Sequence, residues 1–191
     1  MNYKNIKISF NAPVILTFTL ICFISLIIGY ITNGFITEKL FSVYRSSISS
    51  PLTYIRLLGH VFGHTNYQHF IGNITLILIT GTLLEDKYGS YNIAFIILIT
   101  AITTGIINII LFPNIRLLGA SGVAFAFILL SSITKVKDNK IPLTFIIVAI
   151  IYIGGQIYEG IFIKDNISNI SHIIGGIIGA IFGYILNKRT R

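Results

Sequence analysis

The sequence predicts an all-α membrane protein, a single polytopic domain over residues 1–191 folded as a six-transmembrane-helix bundle, and three observations carry that expectation. Of 191 residues, 54% are apolar and only 10% charged, with a mean hydropathy of +0.85, a balance too apolar for a water-soluble domain of this size. The apolar residues gather in several runs near twenty residues long, the length that crosses a ~30 Å hydrocarbon core at ~1.5 Å per residue. The basic residues behind the net charge of +8 fall at the chain ends and in the connections between those runs. That scatter reads as membrane topology and gives no basic polar module for nucleic acid. One cysteine, Cys22, excludes an intrachain disulfide and a cysteine-based metal cluster.

Taken in order, Met1 to Asn11 is a polar start with Lys4 and Lys7, and the first helix is expected over residues 13–32. It has the charged start of a signal peptide, but it is too long for an h-region and shows no small-residue cleavage site, so it is expected to stay as a signal anchor. Residues 33–66 lack a helical pattern. They mix Glu38, Lys39, Arg45 and Arg56 with Phe41, Leu57, Pro51 and the serines between Ser46 and Ser50, and are expected to form an outer loop lying in the interface. The second helix is expected over 67–84 and the third over 91–112, where Pro113 stops it. The fourth covers 121–134, the fifth 141–158 and the sixth 170–186, with a polar connection from Glu159 to Ser171.

Six helices put both termini on one side. The termini and the connections on their side carry nine of the fourteen Lys and Arg, so that side is expected to be cytoplasmic. Helices two, four and six then begin at the outer face, and their first turns hold His69 and Asn73, Ser121, and His172. Counted from Thr134 and Leu186, Ser121 and His172 both lie roughly 20 Å up their helices at ~1.5 Å per residue, inside the membrane. The fourth helix is too short to span, so residues 113–120 must descend as irregular backbone, tolerated only where protein or a wet cavity satisfies its polar groups.

Chemistry centres on Gly119-Ala120-Ser121-Gly122. Small residues surround the hydroxyl, and a helix starting there aims free N–H groups at whatever approaches. A serine and a histidine at one level suggest nucleophile and base, and with every carboxylate assigned to a loop or to the inner face the expectation is a dyad. His69 and Asn73, four residues apart on one helix face, could join the Ser121 N–H in an oxyanion hole; as a plainer role they could bind helices together. His60, His64 and His69 raise a metal reading, but no carboxylate or cysteine accompanies them at ligand spacing.

On these residues the chain resembles the rhomboid intramembrane serine proteases, from about Tyr54 to Asn187. The G-x-S-G motif stands at Gly119 to Gly122, H-x4-H-x3-N at His64, His69 and Asn73, and H-x2-G-x3-G at His172, Gly175 and Gly179. Arg56 is similar to the family's loop arginine, and Glu85 before Lys87 and Gly89 to its helix-two ending. The resemblance implies a rhomboid-like bundle with Ser121 as nucleophile and His172 as base and acid. It places Asn73, His69 and the Ser121 N–H around the oxyanion, with Gly119 beside them. Phe125 stands where many members have tyrosine, and Ser171 where alanine is common. The implied activity cleaves transmembrane segments of other membrane proteins in a lipid bilayer, with no cofactor, no metal and no nucleic acid, in a bacterial cell membrane. A non-catalytic binder of transmembrane helices and a metal or small-solute transporter are the other readings.

Overall fold

The computed structural model describes residues 8–133, 140–162 and 166–189. Thr134, six of the fourteen Lys and Arg counted for topology (Lys4, Lys7, Lys135, Lys137, Lys164 and Arg191) and the carboxylates Asp138 and Asp165 lie outside them. The described residues form eight α-helices and one 3-10 turn. Five helices are long and apolar enough to cross a membrane: α1 (Pro13–Ile31), α4 (Tyr67–Tyr88), α5 (Ser90–Leu111), α7 (Leu143–Phe162) and α8 (Asn166–Arg189), the apolar span of α8 running from Asn169 to Asn187. The sixth, α6 (Ser121–Ser132), has 12 residues, ~18 Å at the α-helical rise, and sits in the middle of the bundle. The chain is an integral multi-pass membrane protein.

Two short helices, α2 (Phe35–Leu40) and α3 (Pro51–Gly59), and a 3-10 turn (His60–Phe62) occupy the stretch expected to be a loop. Pieces of six and nine residues are marginal alone, so their sequences show little helical signal, and tertiary contacts hold them. Arg56 on α3 is buried; its Nε donates to the Lys39 carbonyl (2.8 Å) and its guanidinium stacks 4.4 Å from the Tyr44 ring. Tyr54, Ile55 and Leu58 remain exposed on α3, an apolar face suited to the membrane interface. The polar connection expected from Glu159 to Ser171 is also largely helical, because α7 continues to Phe162 and α8 starts at Asn166.

α6 and α8 run side by side in the same direction with their backbones in contact. A Cβ added to Gly175 would stand 2.1 Å from the Gly122 carbonyl oxygen, and one added to Gly179 would stand 2.0 Å from that of Ala126. Further along, Gly183 faces the Ile133 side chain and Asn187 Nδ2 donates to the Ile133 carbonyl (2.7 Å). Only glycine permits that approach. The rest of α6, including Val123, Phe127 and Leu130, is enclosed by α4, α5 and α8.

At the end of the bundle away from Ser121, the buried Glu85 carboxylate caps α1. It accepts from the N–H groups of Val14 (2.9 Å) and Ile15 (3.0 Å) and from Ser90 Oγ (2.7 Å). A carboxylate at a helix N-terminus satisfies orphan donors and opposes the positive end of the helix dipole. This ties α1 to the α4–α5 turn.

The glycine contact predicts a contrast. Gly179→Ala should cost about 1–3 kcal/mol through overpacking. Gly154→Ala, on α7 with nothing within 4 Å of its added carbon, should be neutral or mildly stabilising. Thermal unfolding of both variants in one detergent checks this, and equal melting temperatures would contradict it.

Candidate active site

Ser121 is the first residue of α6, and the chain reaches it through residues 112–120, which are irregular backbone inside the bundle. Several points of that descent are tied down. Val43 and Leu117 exchange a pair of backbone hydrogen bonds (2.8 and 2.9 Å), and Asn108 Nδ2 on α5 donates to the carbonyls of Val43 (3.1 Å) and Ile115 (3.0 Å). The Gly119 N–H donates to the His60 carbonyl (2.9 Å). Gly119 has φ +127°, and a Cβ there would meet His69 Cε1 at 2.8 Å, so backbone conformation and the His69 ring both require glycine. The helical ladder then starts with Ala124 N–H donating to Ala120 O (2.9 Å), leaving the N–H groups of Ser121, Gly122 and Val123 ahead of it.

His172 sits in the early part of α8, packed on α6. Its ring lies flat against Phe125, one turn beyond Ser121, with centroids 4.3 Å apart and planes 3° from parallel. Tyr152 on α7 meets the same phenylalanine edge-on at 5.7 Å. The ring at position 125 therefore orients the histidine without a hydroxyl. His172 Nδ1 bonds to Gln156 Oε1 (2.5 Å), and Gln156 Nε2 donates to Glu159 Oε2 (3.3 Å). Ser121 Oγ has no hydrogen bond among the contacts of the described residues. The packing sets Ser171 and Gly175 against Gly122 and His172 against Phe125, one turn beyond Ser121; substrate-free sites often tighten a nucleophile–base bond only in complex.

On α4, His69 and Asn73 share the face turned to this point. The His69 ring covers Gly119 and its Nδ1 lies 3.3 Å from Thr65 Oγ1. Asn73 is 8% exposed, and its Nδ2 is buried without a hydrogen-bond partner. A buried unsatisfied amide costs about 1–3 kcal/mol; six other buried side-chain atoms among the described residues also lack a partner, His64 Nε2 and Asn108 Oδ1 among them. Gly119, whose N–H is taken by His60, contributes room rather than a donor.

The other two histidines serve the scaffold. Buried His60 sets Nδ1 3.1 Å from the Leu57 carbonyl and Nε2 3.2 Å from Thr104 Oγ1 on α5. His64 Nδ1 lies 3.2 Å from the Phe62 carbonyl, and its ring meets His69 edge-on at 5.2 Å. Among the described residues no three His, Cys, Asp or Glu side chains come together to hold a metal. A cavity of about 410 Å³ opens beside His64, also lined by Tyr30, Thr37, Glu38, Arg116 and Leu118; Ser121 is not among its walls.

Gln156 escaped the sequence reading. Its signal was present, a lone amide in the apolar run Ile150 to Ile157, where an uncharged polar residue inside a span marks an interior contact.

A serine heading a short internal helix, faced by a histidine on a glycine-packed neighbour within a polytopic bundle, defines the intramembrane-protease type of scaffold. The family model "Rhomboid domain" matches residues 51–189, and the chain belongs to the rhomboid family. It is similar to Rhomboid-related protein 1 of Caenorhabditis elegans, 26% identical over 140 residues that cover 69% of this chain and 39% of that protein. It is likewise similar to Rhomboid-like protein 11, chloroplastic, of Arabidopsis thaliana (25% over 142 residues, 66% and 50%). A third relative is Rhomboid-related protein 2 of Mus musculus (26% over 158 residues, 72% and 52%). The matched region spans about half or less of each relative's length.

Burial gives this end of the molecule a pH dependence. Desolvation lowers His60 to about 4, and burial reinforced by the neighbouring His69 lowers His64 to about 4. Both folded values lie below the unfolded value of ~6.5, so the unfolded chain binds more protons in between, and stability present above pH ~6.5 is lost as pH falls toward 4. Melting temperature in detergent should therefore drop on acidification from pH 7 to 4, and His64→Gln should flatten the drop. A His64→Gln profile parallel to wild type would contradict this.

Proposed function

We propose that the protein is an intramembrane serine endopeptidase that hydrolyses peptide bonds in or near transmembrane segments of other membrane proteins. The observation that carries this reading is the placement of His172, stacked on Phe125 one turn beyond Ser121, on a helix whose backbone touches that of the serine. In the proposed reaction Ser121 Oγ attacks the scissile carbonyl while its proton passes to His172 Nε2. The oxyanion takes hydrogen bonds from the Ser121 N–H, from Asn73 Nδ2, a buried donor without a partner, and from His69. Collapse breaks the C–N bond, and the leaving amine receives the proton from His172. Water, activated by the same imidazole, then hydrolyses the acyl-enzyme. By the charge bias the termini are placed in the cytoplasm and the site toward the outer face of a bacterial cell membrane.

A peptide bond inside a regular helix is shielded by the helix itself, so the substrate must unwind locally at Ser121. Glycine and proline weaken helices by about 1 and 3 kcal/mol per residue, which favours segments carrying them near the outer end.

Three outcomes are expected in membranes with a single-span reporter. Ser121→Ala or His172→Ala abolishes cleavage and, for Ser121→Ala, labelling by a fluorophosphonate serine probe, with insertion and thermal stability unchanged. Survival of cleavage in Ser121→Ala would end the serine mechanism, and a wild type that neither cleaves nor labels would favour a non-catalytic helix binder. Asn73→Ala lowers kcat roughly 10- to 1,000-fold with a smaller effect on KM; a change in KM alone would make Asn73 a binding residue. Replacing a Gly/Ala/Pro patch near the outer end of the reporter helix by leucines slows cleavage about tenfold or more, whereas equal rates would remove unwinding as the selector.

A further inference from the structure

The catalytic reading leaves open what sets the proton on His172. A histidine acts as base through Nε2 only when its neutral ring carries the hydrogen on Nδ1, and that choice is made by the group Nδ1 faces. Here that group is Gln156. It lies on α7, a helix whose other described residues are exposed or half-buried, and it is the one residue there that is buried.

The orientation of the Gln156 amide follows from its second partner. Glu159, one turn on, presents a carboxylate oxygen, which only accepts, so the group facing it must be the Gln156 NH2. The Gln156 carbonyl oxygen is thereby turned to His172 Nδ1, and an amide oxygen also only accepts. Nδ1 must then carry the hydrogen. A reversed amide would set its oxygen against the carboxylate oxygen, two acceptors with no hydrogen between them. Phe125 fixes the plane of the imidazole, and Gln156 fixes its rotation within that plane.

We infer that Gln156, held in register by Glu159, is a positioning residue that locks His172 as the Nδ1–H tautomer and leaves Nε2 as the proton acceptor. The arrangement supplies the orienting role that a buried carboxylate has in a Ser-His-Asp triad, with a neutral amide facing the ring and the carboxylate one bond further out. It rests on the protease reading for its catalytic consequence; the tautomer itself does not.

The test uses the full-length protein in detergent, labelled with 15N-histidine, the His172 signals being assigned by their loss in His172→Gln. Wild type should show His172 at neutral pH with a protonated Nδ1 and an unprotonated Nε2. Gln156→Leu should lose that preference and lower kcat roughly 10- to 1,000-fold with KM within about twofold, the pattern of a misset base. The exchanged pair Gln156→Glu/Glu159→Gln restores the same two hydrogen bonds and should recover kcat to within about fivefold of wild type. A wild-type His172 protonated on Nε2 overturns the inference, as does a folded Gln156→Leu with wild-type kcat. If Gln156→Leu does not fold, the wild-type spectrum and Glu159→Ala, which should weaken the tautomer preference, decide. A wild type with the Nδ1–H tautomer but no Ser121-dependent cleavage would refute the protease reading and leave the positioning geometry standing.

Discussion

The backbone contact between α6 and α8 is the constraint on which the rest of the molecule turns. α6 is too short to span a membrane and has almost no exposed surface, so it holds its depth through its neighbours alone. Lipid gives no hydrophobic drive for helices to associate, and close van der Waals packing takes over that role. Gly175 and Gly179 let α8 come down on the carbonyls of Gly122 and Ala126, and the same approach carries His172 to the level of Phe125 and Ser121. Packing and chemistry here have one cause.

A second requirement follows from the shortness of α6. The backbone from 113 to 120 enters the bundle outside the helical ladders, and each unsatisfied group there would be costly. Asn108, the Val43–Leu117 pair and the His60 carbonyl supply the partners. α2, α3 and the residues between them are best understood as the support for this descent. Arg56 and Arg116 flank the Tyr44 ring at 4.4 and 5.3 Å, and Arg116 also pairs with Glu38, fastening the segment that donates Val43.

The polar groups around Ser121 divide by what they lack. His60, His64 Nδ1 and Asn108 Nδ2 have protein partners and act as fasteners, although His64 Nε2 and Asn108 Oδ1 have none. Asn73 Nδ2 has none, and the first N–H groups of α6 precede its ladder. What sets Asn73 apart from the other buried unpartnered atoms is that it is an amide donor on the helix that lays His69 against Gly119. His172 belongs to neither set: its Nδ1 is engaged by Gln156.

By itself the sequence determined the membrane class, five of the spanning segments to within a few residues, and the family. Long apolar runs, the proline after α5 and the three spaced motifs are local features that need no partner to be recognised. It also placed Ser121 at a helix start and required a satisfied irregular descent before it, because a short apolar run beside Pro113 allows little else. Only the tertiary structure decided the rest. α2 and α3 exist because Arg56, Tyr44 and Lys39 meet across the fold, contacts that leave no periodic trace in pieces so short. The apolar pattern placed Glu159 in a connection, whereas α7 in fact continues through it to Phe162. Gln156, one turn before Glu159, meets His172 sixteen residues further along the chain, and no spacing rule within one helix brings two different helices face to face.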